Sequence, residues 1–416
     1  MRTSGRRSRA LLVGLAVALL GVPAPAEQPM AAAEPAAVSP PPAAQAQAGS
    51  QPWWMGKLDD LLAGHTVGVS VRDGGRFLYR NGDKKRRVPA SNEKLLMAMA
   101  ILDALGPDVR LPTLAAASDA GGKVIGGNLW ILGRGDPSVG PKKLKRLARA
   151  IADAGITRIK GSVKGSTGYF ARDWWAPGWK SYFPAQHIPL PTALTYRGNV
   201  AGGVHVTDPE RRAAAKLTER LEKRGVKVDG PPGKGAAPSG LEVVARVRSS
   251  KLIVLLRKTL RDSLNFHAEV LGKRLGAAVL GVRGTIAKGA AAMEAWAEAL
   301  GVGVVARDGS GLSYQNAVAP AGMAKLLGAV EELGWGPGLR TALPAPGQGT
   351  LKGRLKGLKV RAKTGTLSGI SALSGWVWLD KTGTWAEFSI LCSGMSKSEA
   401  VALEDKVVGL LARRAS

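Results

Sequence analysis

Two short motifs in this chain of 416 residues could supply an activated nucleophile. Ser91 and Lys94 form its only S-x-x-K motif, and Ser263 and Asn265 form its only S-x-N motif. A serine hydroxyl becomes a good nucleophile only when a neighbouring base takes its proton. A lysine three residues further along a helix lies on the same face as the serine and can be that base if its pKa is lowered. Taken alone, the first motif is more simply explained as a helix N-cap beside a solvated lysine.

A third motif, K-T-G-T, occurs twice and begins at Lys363 and again at Lys381. Its lysine offers a positive charge, its glycine allows close approach to the backbone, and its threonines offer hydroxyl donors. The second copy follows Asp380 between two strand-like runs, and its composition is typical of a hairpin turn. We therefore expect only the first copy to bind a substrate, through Lys363, Thr364, Gly365 and Thr366.

The order of the three motifs is more informative than any one of them. S-x-x-K falls at the start of a predicted helix, S-x-N interrupts a later helical stretch, and K-T-G lies on a strand near the end. This trio is typical of serine enzymes that recognise penicillin. The chain has four histidines without an H-E-x-x-H zinc motif, and no G-x-S-x-G nucleophile elbow. The predicted site therefore uses no metal and no cofactor.

The elements that must position these motifs come from both ends of the chain. VPASNEKLLMAMAILDALG predicts a helix, with an apolar stripe at Leu95, Leu96, Met99 and Leu102. HTVGVSVRDGGRFLYRNGD predicts a hairpin, and LKVRAKTGT, ISALSGWVWLD and TWAEFSILCSG predict three strands before a final helix. We expect one antiparallel sheet built from both ends, flanked by helices. Cys392, the single cysteine, falls in the last strand and is predicted to be a small buried side chain.

Composition divides the chain into four predicted parts. Residues 1–26 carry an arginine-rich start, a short apolar run and an A-x-A cleavage signal, which together predict a secretory signal peptide. Residues 27–52 are rich in Ala, Pro and Gln and predict a flexible linker. Residues 53–110 and 247–416 form the predicted catalytic domain, and residues 111–246 form an inserted α/β domain of short strands and basic helices.

The formal charge of +28 raises the question of an anionic partner. The lysines and arginines are scattered, and no nucleic-acid-binding motif accompanies them, so we do not expect nucleic acid as a partner. After signal cleavage nothing predicts a membrane span. The predicted location is therefore outside the cytoplasmic membrane, in the periplasm or with the cell wall.

Most of the chain, from about residue 55 to the end, resembles the type-4, low-molecular-mass penicillin-binding proteins, a D-alanyl-D-alanine carboxypeptidase/endopeptidase family. The resemblance is carried by VPASNEKLL, GNLWILGRGDPSV, ITRIKGSVKGSTGYF, PLPTALTYRGNV, SLNFHAEVLGKRLG, RDGSGLSYQNAVAP and GTLKGRLKGLKVRAKTGTLSGISALSGWV. It implies an α/β (α+β) fold like the transpeptidase fold of penicillin-binding proteins and serine β-lactamases. It also implies peptidoglycan stem peptides ending in D-Ala-D-Ala, and β-lactams, as partners.

The resemblance implies a role for each motif residue. Ser91 would attack the carbonyl of the penultimate D-alanine and become acylated, with Lys94 as the favoured general base. Ser263 would hand a proton to the leaving amine, and Asn265 would position Lys94 and the acyl side chain. One departure from the family pattern is Leu264, where the family usually has aspartate; its side chain belongs to neither reacting group.

The K-T-G-T strand completes the implied site. Lys363 and Thr366 would bind the terminal carboxylate, and Lys363 would also help to keep Lys94 deprotonated. The backbone N–H groups of Ser91 and Thr366 would form the oxyanion hole. A rival second motif, Tyr314-Gln315-Asn316, matches a Y-x-N variant of S-x-N in related enzymes and stays open as an alternative.

Two other functions remain as alternatives. A class A β-lactamase would need a deacylating glutamate in an E-x-x-L-N stretch, which is absent, and a much shorter interval between its first two motifs. A non-catalytic peptidoglycan-binding protein could use the positive charge and the tryptophans Trp174, Trp175 and Trp179, although we expect those side chains to pack in the core. The sequence leaves the balance of carboxypeptidase and endopeptidase action, the peptidoglycan type, the role of the insert and the oligomeric state undecided.

Overall fold

A computed structural model describes residues 51–414 of the chain, with the side chain of Arg414 left out. The predicted signal peptide, and all but the last two residues of the predicted linker, lie outside the described residues. The helices are α1 (Trp53–Leu62), α2 (Glu93–Leu105), α3 (Pro141–Asp153), α4 (Phe183–Gln186), α5 (Pro209–Glu222), α6 (Leu252–Arg261), α7 (Asn265–Val279), α8 (Ile286–Ala299), α9 (Pro320–Glu331), α10 (Gly336–Ala342) and α11 (Lys397–Arg414).

The strands are mostly short before residue 250 and long after residue 360. They are β1 (Val67–Asp73), β2 (Arg76–Asn81), β3 (Pro112–Ala117), β4 (Val124–Ile125), β5 (Leu129–Gly133), β6 (Arg158–Ile159), β7 (Val163–Ser166), β8 (Val200–Ala201), β9 (Val204–His205), β10 (Lys227–Val228), β11 (Gly233–Gly235), β12 (Glu242–Arg248), β13 (Val360–Leu367), β14 (Ile370–Leu379) and β15 (Thr384–Ser393).

One of the two five-stranded sheets joins both ends of the described chain. Its order is β13-β14-β15-β1-β2, and every neighbouring pair is antiparallel. The β1–β2 hairpin turns at Gly74 and Gly75, whose φ angles of 53° and 84° favour glycine. The prediction of one antiparallel sheet from both ends, entered through a hairpin at these glycines, is confirmed.

Helices cover both faces of this sheet because its strands alternate their side chains. On one face, Phe388 and Val377 pack with α1 and α11 in a cluster that also contains Trp54 and Val407. On the other face, Trp376 and Leu391 pack against helices of a second cluster. Cys392 is buried in the first cluster, and burial raises the pKa of its thiol to about 12, so the prediction of a small buried side chain is confirmed.

Helix α2 is buried on all sides rather than along a stripe. Every residue from Glu93 to Leu102 is at most 1% exposed, because α2 lies within the cluster formed by the sheet and the helices around it. The predicted apolar stripe was therefore too narrow, because Met97, Ala98 and Ile101 between its members are buried as well. A central helix carries apolar residues on every face, so periodicity alone does not reveal it.

Between α2 and α6 the chain builds a second, smaller structure. Its main sheet has the order β11-β7-β5-β3-β12, and its helices α3 and α5 share a core with these strands. Strand β12 ends at Arg248, two residues past the boundary expected from the sequence. We propose that the inserted domain spans the strands from Pro112 to Arg248, which keeps this sheet in one unit. Within residues 51–414, no helix is long and apolar enough to cross a membrane.

Candidate active site

Ser91 lies in a tight turn that leads directly into α2. The turn covers Ala90–Asn92, and Ala90 has a φ of 45° in the left-handed region. Gly311 packs against this turn so closely that a Cβ there would meet the Ala90 carbonyl oxygen at 1.9 Å. The close approach holds the turn in place and starts the helix so that Ser91 and Lys94 share one face.

Lys94 is fully buried and its Nζ has three polar neighbours. It lies 2.9 Å from Ser91 Oγ and 2.9 Å from Asn265 Oδ1, and it also contacts the Ser310 carbonyl oxygen. The last two atoms can only accept hydrogen bonds, whereas the serine hydroxyl can donate. A neutral amine has two N–H donors and one lone pair. It would therefore donate to Asn265 and Ser310 and present its lone pair to the Ser91 hydroxyl.

The electrostatics shift Lys94 towards that neutral amine. Burial lowers the pKa of Lys94 to about 8, although the charges of Asp308, Glu269 and Glu93 act in the opposite direction. These carboxyl groups are weaker counter-charges than their number suggests. Burial raises the pKa of Glu269 to about 8, and burial together with neighbouring carboxyls raises the pKa of Glu93 well above its usual value.

The S-x-N motif sits in the short link between α6 and α7. Ser263 has a φ of 55°, a conformation that turns the chain sharply before Asn265 opens α7. Asn265 accepts from Lys94 through Oδ1, and its Nδ2 donates to the His187 carbonyl oxygen at 3.4 Å. The half-buried Leu264 caps the helix without a side-chain hydrogen bond, so the departure at this position leaves the two polar groups in place.

Lys363 is a second buried lysine in the same site. Its Nζ lies 2.9 Å from Ser263 Oγ and 2.7 Å from the Thr364 carbonyl oxygen. Burial lowers its pKa well below the usual value, and repulsion from Lys94 lowers it further. For Lys94, in contrast, the lowered pKa comes from burial. The expectation that Lys363 also helps to keep Lys94 deprotonated stays a prediction, because repulsion between two cations acts on both of them.

The backbone of β13 runs directly beside the nucleophile. A Cβ at Gly365 would lie 2.7 Å from the Pro89 carbonyl oxygen and 3.1 Å from Ser91 N, so this contact needs glycine. Asn92 Nδ2 fixes the strand by donating to the Lys363 carbonyl oxygen at 2.9 Å. Thr366, one residue further along, is exposed at the cleft.

An open cleft of about 470 Å³ lies in front of these residues and contains Ser91, Asn265 and Thr366 in its lining. Its other walls include Tyr182, His187 and Lys397, which sequence reasoning missed, and Tyr314 of the rival Y-x-N motif. The first two come from the segment between the first and second motifs, which therefore reaches the catalytic cleft. Aromatic side chains in loops carry no periodic signal, so only the fold reveals their position.

Further residues behind the site were also missed. Glu269 Oε1 accepts from the backbone N–H groups of Gly309 and Ser310, at 2.9 and 2.7 Å. These bonds fix the segment whose Ser310 carbonyl holds Lys94. The available signal was the repeated small and polar residues of the stretch DGSGLS, which are typical of a backbone packed tightly against a neighbour.

The rival Y-x-N motif does not reach the catalytic lysine. Asn316 is buried, donates to Asp308 Oδ1 at 2.7 Å and accepts from Arg307 N at 2.7 Å. It therefore shapes the loop, whereas Asn265 contacts Lys94. Tyr314 does line the cleft, and its hydroxyl accepts from Ser368 N at 3.2 Å.

The three tryptophans that follow Asp173 differ in burial. Trp179 is buried and donates to Asp308 Oδ2 at 2.6 Å, and the half-buried Trp174 donates to the Ile188 carbonyl oxygen at 2.8 Å. Trp175 is 49% exposed and packs edge-on against Trp179. The expectation of core packing was wrong for Trp175, because its loop turns that side chain outward. The second K-T-G-T copy lies at the β14–β15 hairpin, with Lys381 exposed, as predicted.

Comparison with known proteins decides the family. Residues 57–200 and 190–414 match the D-Ala-D-Ala carboxypeptidase 3 (S13) family. The chain belongs to this family. Its resemblance to the type-4 penicillin-binding proteins is confirmed, and so is the prediction of a serine-type D-Ala-D-Ala carboxypeptidase.

Individual relatives agree with the family. A D-alanyl-D-alanine carboxypeptidase of Actinomadura sp. strain R39 is 29% identical, covering 86% of this chain and 83% of its own length. A carboxypeptidase of Mycobacterium tuberculosis is 27% identical over 76% of this chain and 73% of its own. The crystal structure of penicillin-binding protein 4 from Haemophilus influenzae superposes with a TM-score of 0.75 at 20% identity, covering 86% of this chain and 99% of that one. This likeness confirms the predicted fold.

Proposed function

We propose that this S13-family peptidase cleaves the D-Ala-D-Ala bond of peptidoglycan stem peptides, as a carboxypeptidase, an endopeptidase or both, through an acyl-enzyme on Ser91. The observation that supports this most directly is the environment of Lys94 Nζ. Two obligate acceptors, Asn265 Oδ1 and the Ser310 carbonyl, can take both protons of the neutral amine, which would leave its lone pair for the Ser91 hydroxyl 2.9 Å away. A buried lysine with a pKa of about 8 can act as a base near neutral pH.

In the proposed acylation, Ser91 Oγ attacks the carbonyl carbon of the penultimate D-alanine while its proton passes to Lys94 Nζ. The bond to the leaving amine then breaks, and that nitrogen must gain a proton. Ser263 is suited to this step because its hydroxyl lies 2.9 Å from Lys363 Nζ and can donate to the amine as it takes a proton from the lysine. Water then hydrolyses the ester on Ser91, and return of the proton from Lys94 to Lys363 restores the free enzyme.

Substrate binding is assigned to β13. We propose that Lys363 and Thr366 bind the terminal carboxylate and that the Ser91 and Thr366 N–H groups stabilise the oxyanion, with Thr364 and Gly365 shaping the strand between them. An oxyanion-hole donor contributes about 3 to 4 kcal/mol to catalysis. A bound carboxylate would also raise the pKa of Lys363, so that substrate itself restores the positive charge that burial disfavours.

The lining of the cleft weighs against the two alternative functions. None of its described lining residues is an aspartate or glutamate, so no carboxylate stands where a class A β-lactamase holds its deacylating base. Glu93 and Glu269 are near but fully buried behind Lys94. A non-catalytic binding protein would have no need for a buried lysine whose contacts fit a neutral amine.

Labelling with a fluorescent penicillin tests the proposal. The parent protein should form a stable covalent adduct, and the Ser91→Ala variant should form none at equal folded concentration. An unlabelled parent would exclude the acyl-enzyme mechanism, whereas label lost within seconds would favour a β-lactamase. Digestion of cross-linked and linear muropeptides then separates endopeptidase from carboxypeptidase action. We further propose that the enzyme works outside the cytoplasmic membrane, where these peptides lie.

A further inference from the structure

A second cleft, far from the motif residues in the chain, lies in the inserted domain between the ends of α3 and α5. Its volume is about 520 Å³, and its lining contains four cationic side chains: Lys145, Arg220, Lys223 and Arg224. The remaining lining residues are Ala152 and Asp153. Asp153 is the single carboxylate among them, and Arg149 already contacts it at 3.2 Å. The cleft is therefore strongly positive.

In the described part of the chain, these four cations have no acidic partner, although some of their neighbours do. Within residues 51–414, none of the four makes an ion pair or a side-chain hydrogen bond. Nearby in the same domain, Arg158 pairs with Asp229 and Lys216 pairs with Glu219. The cleft therefore brings together four cations that no carboxylate of the described residues neutralises.

The two helices hold this arrangement rigidly. Leu144 and Leu147 of α3 pack against Leu217 and Leu221 of α5, and all four are at most 1% exposed. The helix dipole explains part of the charge, because the cations of α5 lie at its C-terminal end. The dipole does not explain Lys145, because this residue lies in the N-terminal half of α3, where the helix dipole disfavours positive charge. No acidic residue in the first turn of α3 offsets that effect.

We propose that this basic cleft binds a linear polyanion carrying phosphate groups, and thereby holds the enzyme on an anionic polymer. A phosphate offers several acceptor oxygens that guanidinium groups bind in bidentate fashion, and two of the four cations are arginines. This binding site is separate from the catalytic cleft, and it does not depend on the proposed peptidase reaction.

The shape and composition of the cleft disfavour other anionic partners. A membrane surface would be met by a flat or convex face with exposed apolar side chains, but Ala152 is the only apolar residue in the lining. Single-stranded nucleic acid binds through aromatic side chains stacked on bases, and this lining has none. A linear phosphate polymer needs only a row of cations in a groove.

The test must separate this cleft from the overall charge of +28, which attracts any polyanion. The full chain is titrated into fluorescent inorganic polyphosphate, and binding is followed by anisotropy at several salt concentrations. The cleft variant carries K145Q, R220Q, K223Q and R224Q. The matched control carries K123Q, K160Q, R246Q and R248Q, which remove the same charges, of the same residue types, from exposed positions of the same domain.

The cleft variant should lose much more affinity than the control. Four phosphate contacts correspond to a salt slope of about 3 on a log–log plot, so this slope should fall by about that amount in the cleft variant and by less than about 1 in the control. Equal losses in both variants would overturn the proposal. So would equally tight binding of the parent to polyglutamate, to single-stranded DNA or to anionic lipid vesicles. Penicillin labelling should be unchanged in both variants, which confirms that they are folded.

Discussion

The pH dependence of acylation follows from the burial of Lys94. Because burial lowers the pKa of this lysine from 10.5 to about 8, the neutral form at pH 7 is about 300 times more abundant than for an exposed lysine. The base must be deprotonated to accept the Ser91 proton, so acylation should rise with pH through this pKa. The neutral fraction is about 1% at pH 6, about 10% at pH 7 and about half at pH 8.

The corresponding assay is the second-order rate constant for labelling by a fluorescent penicillin, measured from about pH 6 to pH 9. The rate should rise about tenfold over the first unit, about fivefold over the next, and reach a plateau above the pKa. Thermal melts at each pH verify that the protein stays folded, and the Lys381→Ala variant should give the same profile as the parent.

A labelling rate that is flat between pH 6 and pH 8, or falls over that range, would refute the reasoning. It would mean either that Lys94 is already neutral at pH 6 or that another group takes the proton. A midpoint near the usual lysine pKa would refute it in a different way, because the site would then not desolvate the amine.

Three further predictions concern residues around this base. Lys363→Ala should abolish penicillin labelling, because Ser263 loses the amine it contacts and the carboxylate of the penicillin loses the positive charge that binds it. Lys381→Ala at the exposed hairpin should change labelling less than about twofold. Gly365→Ala should lower the labelling rate at least about tenfold, because the added methyl would lie 2.7 Å from the Pro89 carbonyl oxygen; unchanged labelling would show that β13 can move away freely. Glu269→Ala should remove the acceptor of two buried N–H groups and cost about 1 to 3 kcal/mol of unfolding free energy, measured by urea denaturation. Glu269→Gln keeps an oxygen acceptor and should cost less, and equal losses in the two variants would contradict the positioning of Ser310 by Glu269.

The sequence predicted which residues lie together in the site but only part of the environment that makes Lys94 a base. Three motifs in a fixed order were enough to expect Ser91, Lys94 and Asn265 in one place, and the structure supports that expectation with short contacts. The Ser310 carbonyl could not be predicted, because a backbone atom leaves no residue-type signature. The full burial that lowers the Lys94 pKa could not be predicted either, since desolvation depends on packing from every side.

The fold was predicted best where runs of strand-forming residues and turn glycines were clearest. The final three strands are long runs of apolar and β-branched residues, and the β1–β2 hairpin carries a Gly-Gly turn. Strand β3 has the sequence PTLAAA, in which Thr113 is the one β-branched residue, and it was not predicted. Its strand conformation comes from pairing with β12 on one side and β5 on the other. Local residue propensities do not predict such tertiary pairing.

The pairing of β1 with β15 determines when during folding this enzyme becomes reactive. A hydrogen bond between Asn92 and Lys363 spans 271 residues, and the sheet beneath it closes only after β15 has docked on β1. Contacts this distant in sequence form slowly, whereas the inserted domain between them can fold from contacts nearer in the chain. A partly synthesised chain therefore has its nucleophile but no assembled site, so the protein cannot be acylated before its last strand is in place.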